Sequence, residues 1–316
     1  MDCIATRLPY RQTNYFSKII LDYLDHAEGL KSFYAHPPSL HGIQKAINNR
    51  QGFANRTILA RELRKQYGDS MNEPVKRNIE LLLSKNTFTI TTAHQPNIFT
   101  GPLYFVYKIV HAIKLAEYCK RSLPQYNFVP VYYMGSEDAD LAELGHVYMG
   151  GEKIEWKTKQ TGAVGRMKVD KDFRRIIEAI SGQLAVLPFG KEIISSIKTC
   201  YADGMLIQDA TLRFVQSLFG DYGLIVLIPD NGALKKLGTT VFQDDLLNET
   251  PSAIVEQTAA RLHAAGYKVQ VNPREINLFY LKDGMRERIV RVKDKFLTHD
   301  SRLSFDEKEI LKELED

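Results

Sequence analysis

Thr91–Lys114 reads TTAHQPNIFTGPLYFVYKIVHAIK, and its pattern changes period at the His-Gln-Pro-Asn turn. Thr87 to Thr92 is β-branched and apolar enough for a short buried strand, whereas Leu103, Val106, Val110 and Ile113 fall at the three-to-four spacing of one helix face. The segment is therefore strand, tight loop, helix. Pro102 suits the first turn of the helix, because its missing N–H would be unpaired there anyway, and Thr100 or Gly101 can serve as the cap. A loop so placed points free backbone N–H groups outward, and a helix start of that kind receives a carboxylate or phosphate.

On the N-terminal side, from Ser17 to about Ser84, the runs FSKIILDYLDHAEGLKSFY, RTILARELRKQYG and EPVKRNIELLLSK are helical and amphipathic. From Asn86 onward strands and helices alternate, with TFTITT, FVPVYYM, GLIVLIP, YKVQV and INLFYLK as the strands. Such alternation marks βα units and an α/β fold with a mainly parallel sheet. Between Gly150 and about Gly190, GGEKIEWKTKQTGAVGRMKVD carries hairpin-like polar and glycine signals and reads as an insertion between two halves of the sheet. The expected organisation is a helical segment at 1–85, a first half of the core at 86–150, the insertion at 151–190 and a second half at 191–316. That last part ends in SRLSFDEKEILKELED, a charged helix start with no obvious closing cap, so it is expected to be incomplete.

A chain of 316 residues suffices for one large α/β domain or two ordinary ones. No run approaches the ~18 consecutive apolar residues of a membrane span, and MDCIATRLPYRQTNYF lacks the basic head and apolar run of a secretory signal. The expectation is a cytoplasmic protein without a membrane partner. Cys3, Cys119 and Cys200 are far apart and lack zinc-ligand spacing, which favours reduced thiols over a disulfide framework or a structural metal. A net charge of +4 gives little reason to expect nucleic acid, and the run around Arg286, Arg288, Arg291, Lys293 and Lys295 reads as a solvated face.

Three polar clusters follow three of the strands: His94-Gln95-Pro96-Asn97, Ser136-Glu137-Asp138-Ala139-Asp140, and Pro229-Asp230-Asn231-Gly232. In an open parallel sheet the loops at the carboxyl ends of strands share one crevice, so the clusters are expected to face one ligand. Taken singly, each also has the composition of an ordinary turn or helix cap. His94 could carry a proton or donate a hydrogen bond to a developing oxyanion, while Gln95 and Asn97 suit hydroxyl and amide recognition. Glu137, Asp138 and Asp140 could supply a general base or hold magnesium with a nucleotide phosphate; they could equally cap a helix through Ala142. Tyr104, Lys108 and His111 share the opposite face of the opening helix, where Lys108 could meet an anion, and His146 could turn back into the crevice. No GxGxxG fingerprint, GxxxxGK[ST] loop, GxSxG elbow, HExxH or DxDxDG loop is present.

FTGPLYFVYKIVHAIKLA (Phe99–Ala116), VPVYYMGSEDADLAELGHV (Val129–Val147) and LFGDYGLIVLIPDNGALKKL (Leu218–Leu237) resemble the bacillithiol biosynthesis cysteine-adding enzymes, the BshC or cysteine ligase family. NLFYL (Asn277–Leu281) is similar to the strand that family carries after its insertion, and the likeness runs from about Asn86 to Val292. The resemblance implies a Rossmann-like core interrupted by connecting-peptide insertions. It also implies a ligase that forms an amide between the carboxylate of L-cysteine and the amine of glucosaminyl malate. The chain departs from the family at Ala93-His94-Gln95, where Gly-Gln-Gln is common, at Ala139, where a histidine is common, and at Gly145 before the matched His146. The family continues through a further Rossmann portion and a dimerising coiled coil, so the resemblance implies a shortened chain and leaves its oligomeric state open.

On that reading Glu137, Asp138 and His94 are the catalytic candidates. Gln95, Asn97, Thr100, Gly101, Tyr104, Lys108, Ser136, His146, Asp230 and Asn231 are the substrate-binding candidates, and no residue is assigned to a resident metal. Amide formation from a free carboxylate needs activation; ATP is its natural source and magnesium its companion. Two other readings stand beside the ligase. One is a non-catalytic or truncated binding domain for a sugar-linked dicarboxylate or nucleotide. The other is a nucleotidyltransferase of other specificity, because His94-Gln95-Pro96-Asn97 loosely resembles an HxGH loop.

Overall fold

The computed structural model describes residue 4 and residues 6–50 and 55–315. Cys3 lies outside the described residues, whereas Cys119 and Cys200 are free and buried. Contacts divide the chain into two compact units, Met1–Gly52 with Asp244–Asn277, and Phe53–Gln243 with Leu278–Asp316.

The smaller unit contains α1 (Tyr10–Thr13), α2 (Lys18–Leu24), α3 (Leu40–Asn49) and, far along the chain, the helix Thr250–Ala264. Ser39 caps α3 by accepting from the Gly42 N–H. Tyr267–Val271, expected as a strand, is irregular. The Tyr267 hydroxyl donates to Asp22 at 3.1 Å and the Lys18 ammonium lies 4.1 Å from its ring centre, so side-chain contacts to α2 hold this segment instead of a strand partner.

The larger unit is built on α4 (Arg56–Tyr67), α5 (Glu73–Leu81), β1 (Thr87–His94), α6 (Tyr104–Ser122) and β2 (Asn127–Met134). It continues through α7 (Leu141–Leu144), the hairpin β3 (His146–Met149) and β4 (Glu152–Glu155), α8 (Lys171–Leu184), α9 (Gly190–Cys200), α10 (Ile207–Phe219), β5 (Ile225–Leu227) and α11 (Gly232–Lys235). Strands β1, β2 and β5 form a parallel sheet in the order β1-β2-β5, with His94 beside Met134 and Tyr133 beside Leu227. The central β2 is buried along most of its length, which is why its sequence is nearly continuous apolar residues rather than an alternation. This is an α/β fold, as the alternation of patterns indicates.

The buried face of α6 differs from the expected one. Phe105, Ile109, Ala112, Ile113 and Ala116 are buried, whereas Leu103 is 68% and Val110 39% exposed. The sequence offers two apolar stripes on this helix, and the stripe with Ala112 and Ala116 lets the backbone lie close to β1 and β2. On the other flank β5 has no further strand among the described residues; the Gln66 amide donates to Val226 O at 2.7 Å and accepts from Ile228 N at 3.0 Å, and the Tyr67 hydroxyl accepts from Val226 N at 2.6 Å. Side chains of α4 thus satisfy the edge of the sheet.

The INLFYLK strand does not enter the parallel sheet. It forms β6 (Phe279–Lys282) of an antiparallel meander with β7 (Met285–Val292), β8 (Lys295–Thr298) and β9 (Ser304–Phe305). Asp283-Gly284 is a two-residue hairpin connection, and Gly284 takes a positive φ of 73°, so the chain reverses beside itself instead of crossing over. The final helix Glu307–Glu313 opens on a capping box between Asp306 and Glu309. Among the described residues no helix is long and apolar enough to cross a membrane.

Candidate functional site

The three polar clusters all leave the carboxyl end of the parallel sheet. The β1 loop is anchored to β2 because the Tyr132 hydroxyl donates to His94 O at 3.1 Å, and Gly135 N donates to the same carbonyl at 2.8 Å. Side chains then join the loops directly, the Gln95 amide donating to Asp138 Oδ2 at 3.2 Å. The other Asp138 oxygen accepts from Ala139 N at 2.7 Å, and Asp140 caps α7 by accepting from Glu143 N at 3.0 Å. Residues 163–166 lie against this loop, with Val164 N on Asp138 O and Gly165 N on Ser136 O. A Cβ at Gly165 would stand 2.4 Å from Ser136 O, so the approach requires glycine.

A charged network links the β2 and β5 loops. Asp230 accepts two hydrogen bonds from Arg166, at 2.6 Å from Nε and 2.8 Å from Nη2, and lies 3.1 Å from the Lys235 ammonium, which also pairs with Glu137. Burial raises the Asp230 carboxyl, but Arg166 and Lys235 together hold it below the ordinary carboxylate range. Asn231 caps α11 through Leu234 N and donates to Glu62 at 3.3 Å. Lys65 and Arg61 hold the Glu62 carboxyl at about 2, against its burial. Lys235, Arg166 and Glu62 were not singled out from the sequence. Lys235 stands within the family-like NGALKKL run, whereas Arg166 lies 64 residues from its carboxylate and carries no local signal.

His94 is 8% exposed, with its ring 5.3 Å from Tyr104 and 5.4 Å from Phe105. Burial, assisted by Lys108, lowers its pKa to about 4, so the ring is neutral at pH 7 and offers a hydrogen bond rather than a charge. Its Nε2 and the Ser136 hydroxyl are buried without a hydrogen-bond partner among the described residues. Lys108 donates to Ala93 O at 3.3 Å. Neither Thr100 nor Gly101 is the cap: α6 begins after Leu103, and among the described residues no side chain caps its first turn. Phe99, Thr100 and Gly101 have φ of 52°, 77° and 63°, which turns the loop away from the cap position.

Asn97, Thr100, Gly101, Tyr104 and His146 share the lining of a cavity of about 610 Å³ with Phe99, Val106 and residues of α8, α9 and α10. Lys108, Tyr104 and Tyr107 border a smaller one of about 440 Å³ along β1. The candidates therefore fall into separate groups: those at the larger cavity, Lys108 with Tyr104 at the smaller one, and Gln95, Ser136, Glu137, Asp138, Asp230 and Asn231 along the joined loops. Among the described residues no group of His, Cys, Asp or Glu is arranged to hold a metal ion. Glu137 is taken by Lys235 and Asp140 by a helix cap, so the acidic trio does not form a ready magnesium donor set.

Residues 2–316 match the model of the family described as bacillithiol biosynthesis BshC, N-terminal Rossmann-like domain. The chain belongs to this family. Among BshC relatives, "Putative cysteine ligase BshC" of Flavobacterium psychrophilum is 40% identical over 316 residues, covering 98% of this chain and 58% of the relative. Proteins of the same name from Flavobacterium johnsoniae and Cytophaga hutchinsonii are each 39% identical and are covered to 59% and 58% of their length. The chain thus spans somewhat under two thirds of the BshC relatives it matches. Its Rossmann-like class agrees with the parallel sheet.

Proposed function

We propose that this chain holds the substrate-binding core of a ligase that adds L-cysteine to glucosaminyl malate, the amide-forming step of bacillithiol biosynthesis. The observation that carries the proposal is the direct joining of the loops after β1, β2 and β5 through Gln95, Asp138, Glu137, Lys235, Asp230 and Arg166. Membership of the BshC family supplies the reaction class. The malate carboxylates require cations and N–H donors, and Lys235, Arg166 and the uncapped start of α6 are of that kind. Glu137 and Asp138 are the proposed bases for the attacking amine, and neutral His94 is a hydrogen-bonding group at the reacting carbonyl. ATP is the proposed source of carboxylate activation and magnesium its companion.

Because the chain spans 58% of the matched relative's length, a second reading stands beside it, in which these residues bind substrate without completing turnover. Thermal unfolding with glucosaminyl malate, citrate and ATP separates the outcomes. A ligand at 100 times its Kd stabilises the fold by ~2.7 kcal/mol. A rise in Tm selective for glucosaminyl malate supports the site, and cysteine-dependent product by mass spectrometry then distinguishes ligase from binding domain. Cooperative unfolding with no selective shift removes the acceptor site from these residues.

A further inference from the structure

Arg166 divides its guanidinium between two carboxylates. Nε and Nη2 bond to Asp230, at 2.6 and 2.8 Å, and fix the plane of the group. Nη1 is left for Asp283, at 3.3 Å, on the two-residue connection between β6 and β7. Within this network Arg166 and Lys235 are shared among three carboxylates, Asp230, Glu137 and Asp283. Cations that are already outnumbered accept a further carboxylate only when one of the three gives way, because like charges at such distances repel. The Asp230 side chain is 7% and that of Glu137 33% exposed, whereas Asp283 is 100% exposed and makes the longest of these contacts.

The hairpin does not depend on that contact. Thr161 Oγ1 donates to Gly284 O at 2.7 Å, and Gly162, at a φ of 88°, packs so closely that a Cβ there would stand 2.6 Å from Met285 N. Lys282 pairs with Met285 across the turn. The backbone of the tip is thus held by its neighbours, and the Asp283 carboxylate is free to swing into water while the turn stays in place. We propose that Asp283 sets the anion affinity of this site: a ligand carboxylate takes Nη1 of Arg166 by exchange with the Asp283 carboxylate. The proposal rests on the ligase reading for its ligand, the malate part of the acceptor, and brings into the site a residue of the β6–β9 meander that this reading leaves outside it. Asp230 stays in place during the exchange, so the guanidinium keeps its orientation when the ligand arrives.

The test is calorimetric titration of the 316-residue chain with glucosaminyl malate and, separately, with citrate as a simple polycarboxylate. Asp283→Asn is expected to bind both about two- to fivefold more tightly with an unchanged Tm, since an exposed ion pair is worth up to that factor. Asp294→Asn, in the turn between β7 and β8 at the other end of the meander, should bind as the parent does. In an Arg166→Lys background, which keeps the charge but loses the Nη1 edge, the gain from Asp283→Asn should vanish. Equal affinity of the parent and Asp283→Asn for glucosaminyl malate overturns the exchange and leaves the ligase reading standing. A gain shared by Asp294→Asn, or one that persists without the guanidinium, also overturns it, because either is a long-range effect of charge. A gain for citrate in a chain that ignores glucosaminyl malate supports the exchange and removes the ligase reading; binding of neither ligand by either chain overturns both.

Discussion

A histidine held between Tyr104 and Phe105 with a pKa of about 4 makes the fold sensitive to acid. Unfolded, the ring takes a proton near pH 6.5; folded, it resists until about 4, so acid favours the unfolded chain. The His94 contribution is complete above pH 6.5 and is lost progressively toward pH 4, with a limit on the order of 3 kcal/mol. Urea unfolding at pH 7.5, 6 and 4.5 should show a steeper loss in the parent chain than in His94→Asn; parallel loss in both would mean that His94 is not the group responsible. The meeting of Gln95 with Asp138 was legible because each stands in a polar cluster at the carboxyl end of a strand. The partners of Asp230 were not, since the bond to Arg166 closes only when 64 residues of intervening chain have folded.

Among the elements, the loop from Phe99 to Gly101 carries three consecutive residues at positive φ, and Thr100 at 77° is costly for a β-branched residue. Gly101 has φ 63° and ψ −139°, a region closed to residues with a Cβ, and an added Cβ would stand 2.6 Å from that of Asn97. Gly101→Ala is expected to destabilise the chain by roughly 2–4 kcal/mol and to disturb the Asn97 side of the cavity. Gly232→Ala is its control: φ is not positive, nothing lies within 4 Å, and a helix position should gain up to ~1 kcal/mol. Equal effects by chemical denaturation would refute the distinction. Strands β1 and β2 were readable from β-branched and apolar runs, but the buried face of α6 was not, because periodicity allows two stripes and only packing against the sheet chooses between them.

In the molecule as a whole, residues distant in sequence close the larger unit. Arg166 binds Asp230 through two hydrogen bonds, and Thr161 donates to Gly284 O at 2.7 Å, so the segment expected as an insertion is tied both to the β5 loop and to the meander. Arg166→Met should therefore cost on the order of 3 kcal/mol by leaving buried Asp230 with Lys235 alone. Amide hydrogen exchange should quicken in residues 156–170 while β1 and β2 keep their protection; uniform acceleration would argue that the ion pair supports the entire unit. The antiparallel course of β6 was hidden in the sequence because INLFYLK fits either sheet, and the Asp283-Gly284 turn decided the direction.

Gln66 and Tyr67 give the parallel sheet a polarity of growth. With the β5 side closed by α4, a strand arriving from any source can lengthen this sheet only alongside β1, which has no neighbour beyond it among the described residues. A strand added beside β5 would have to displace the Gln66 and Tyr67 bonds, whereas one added beside β1 meets only the side-chain contacts of Arg56 to Thr87 O and Lys108 to Ala93 O.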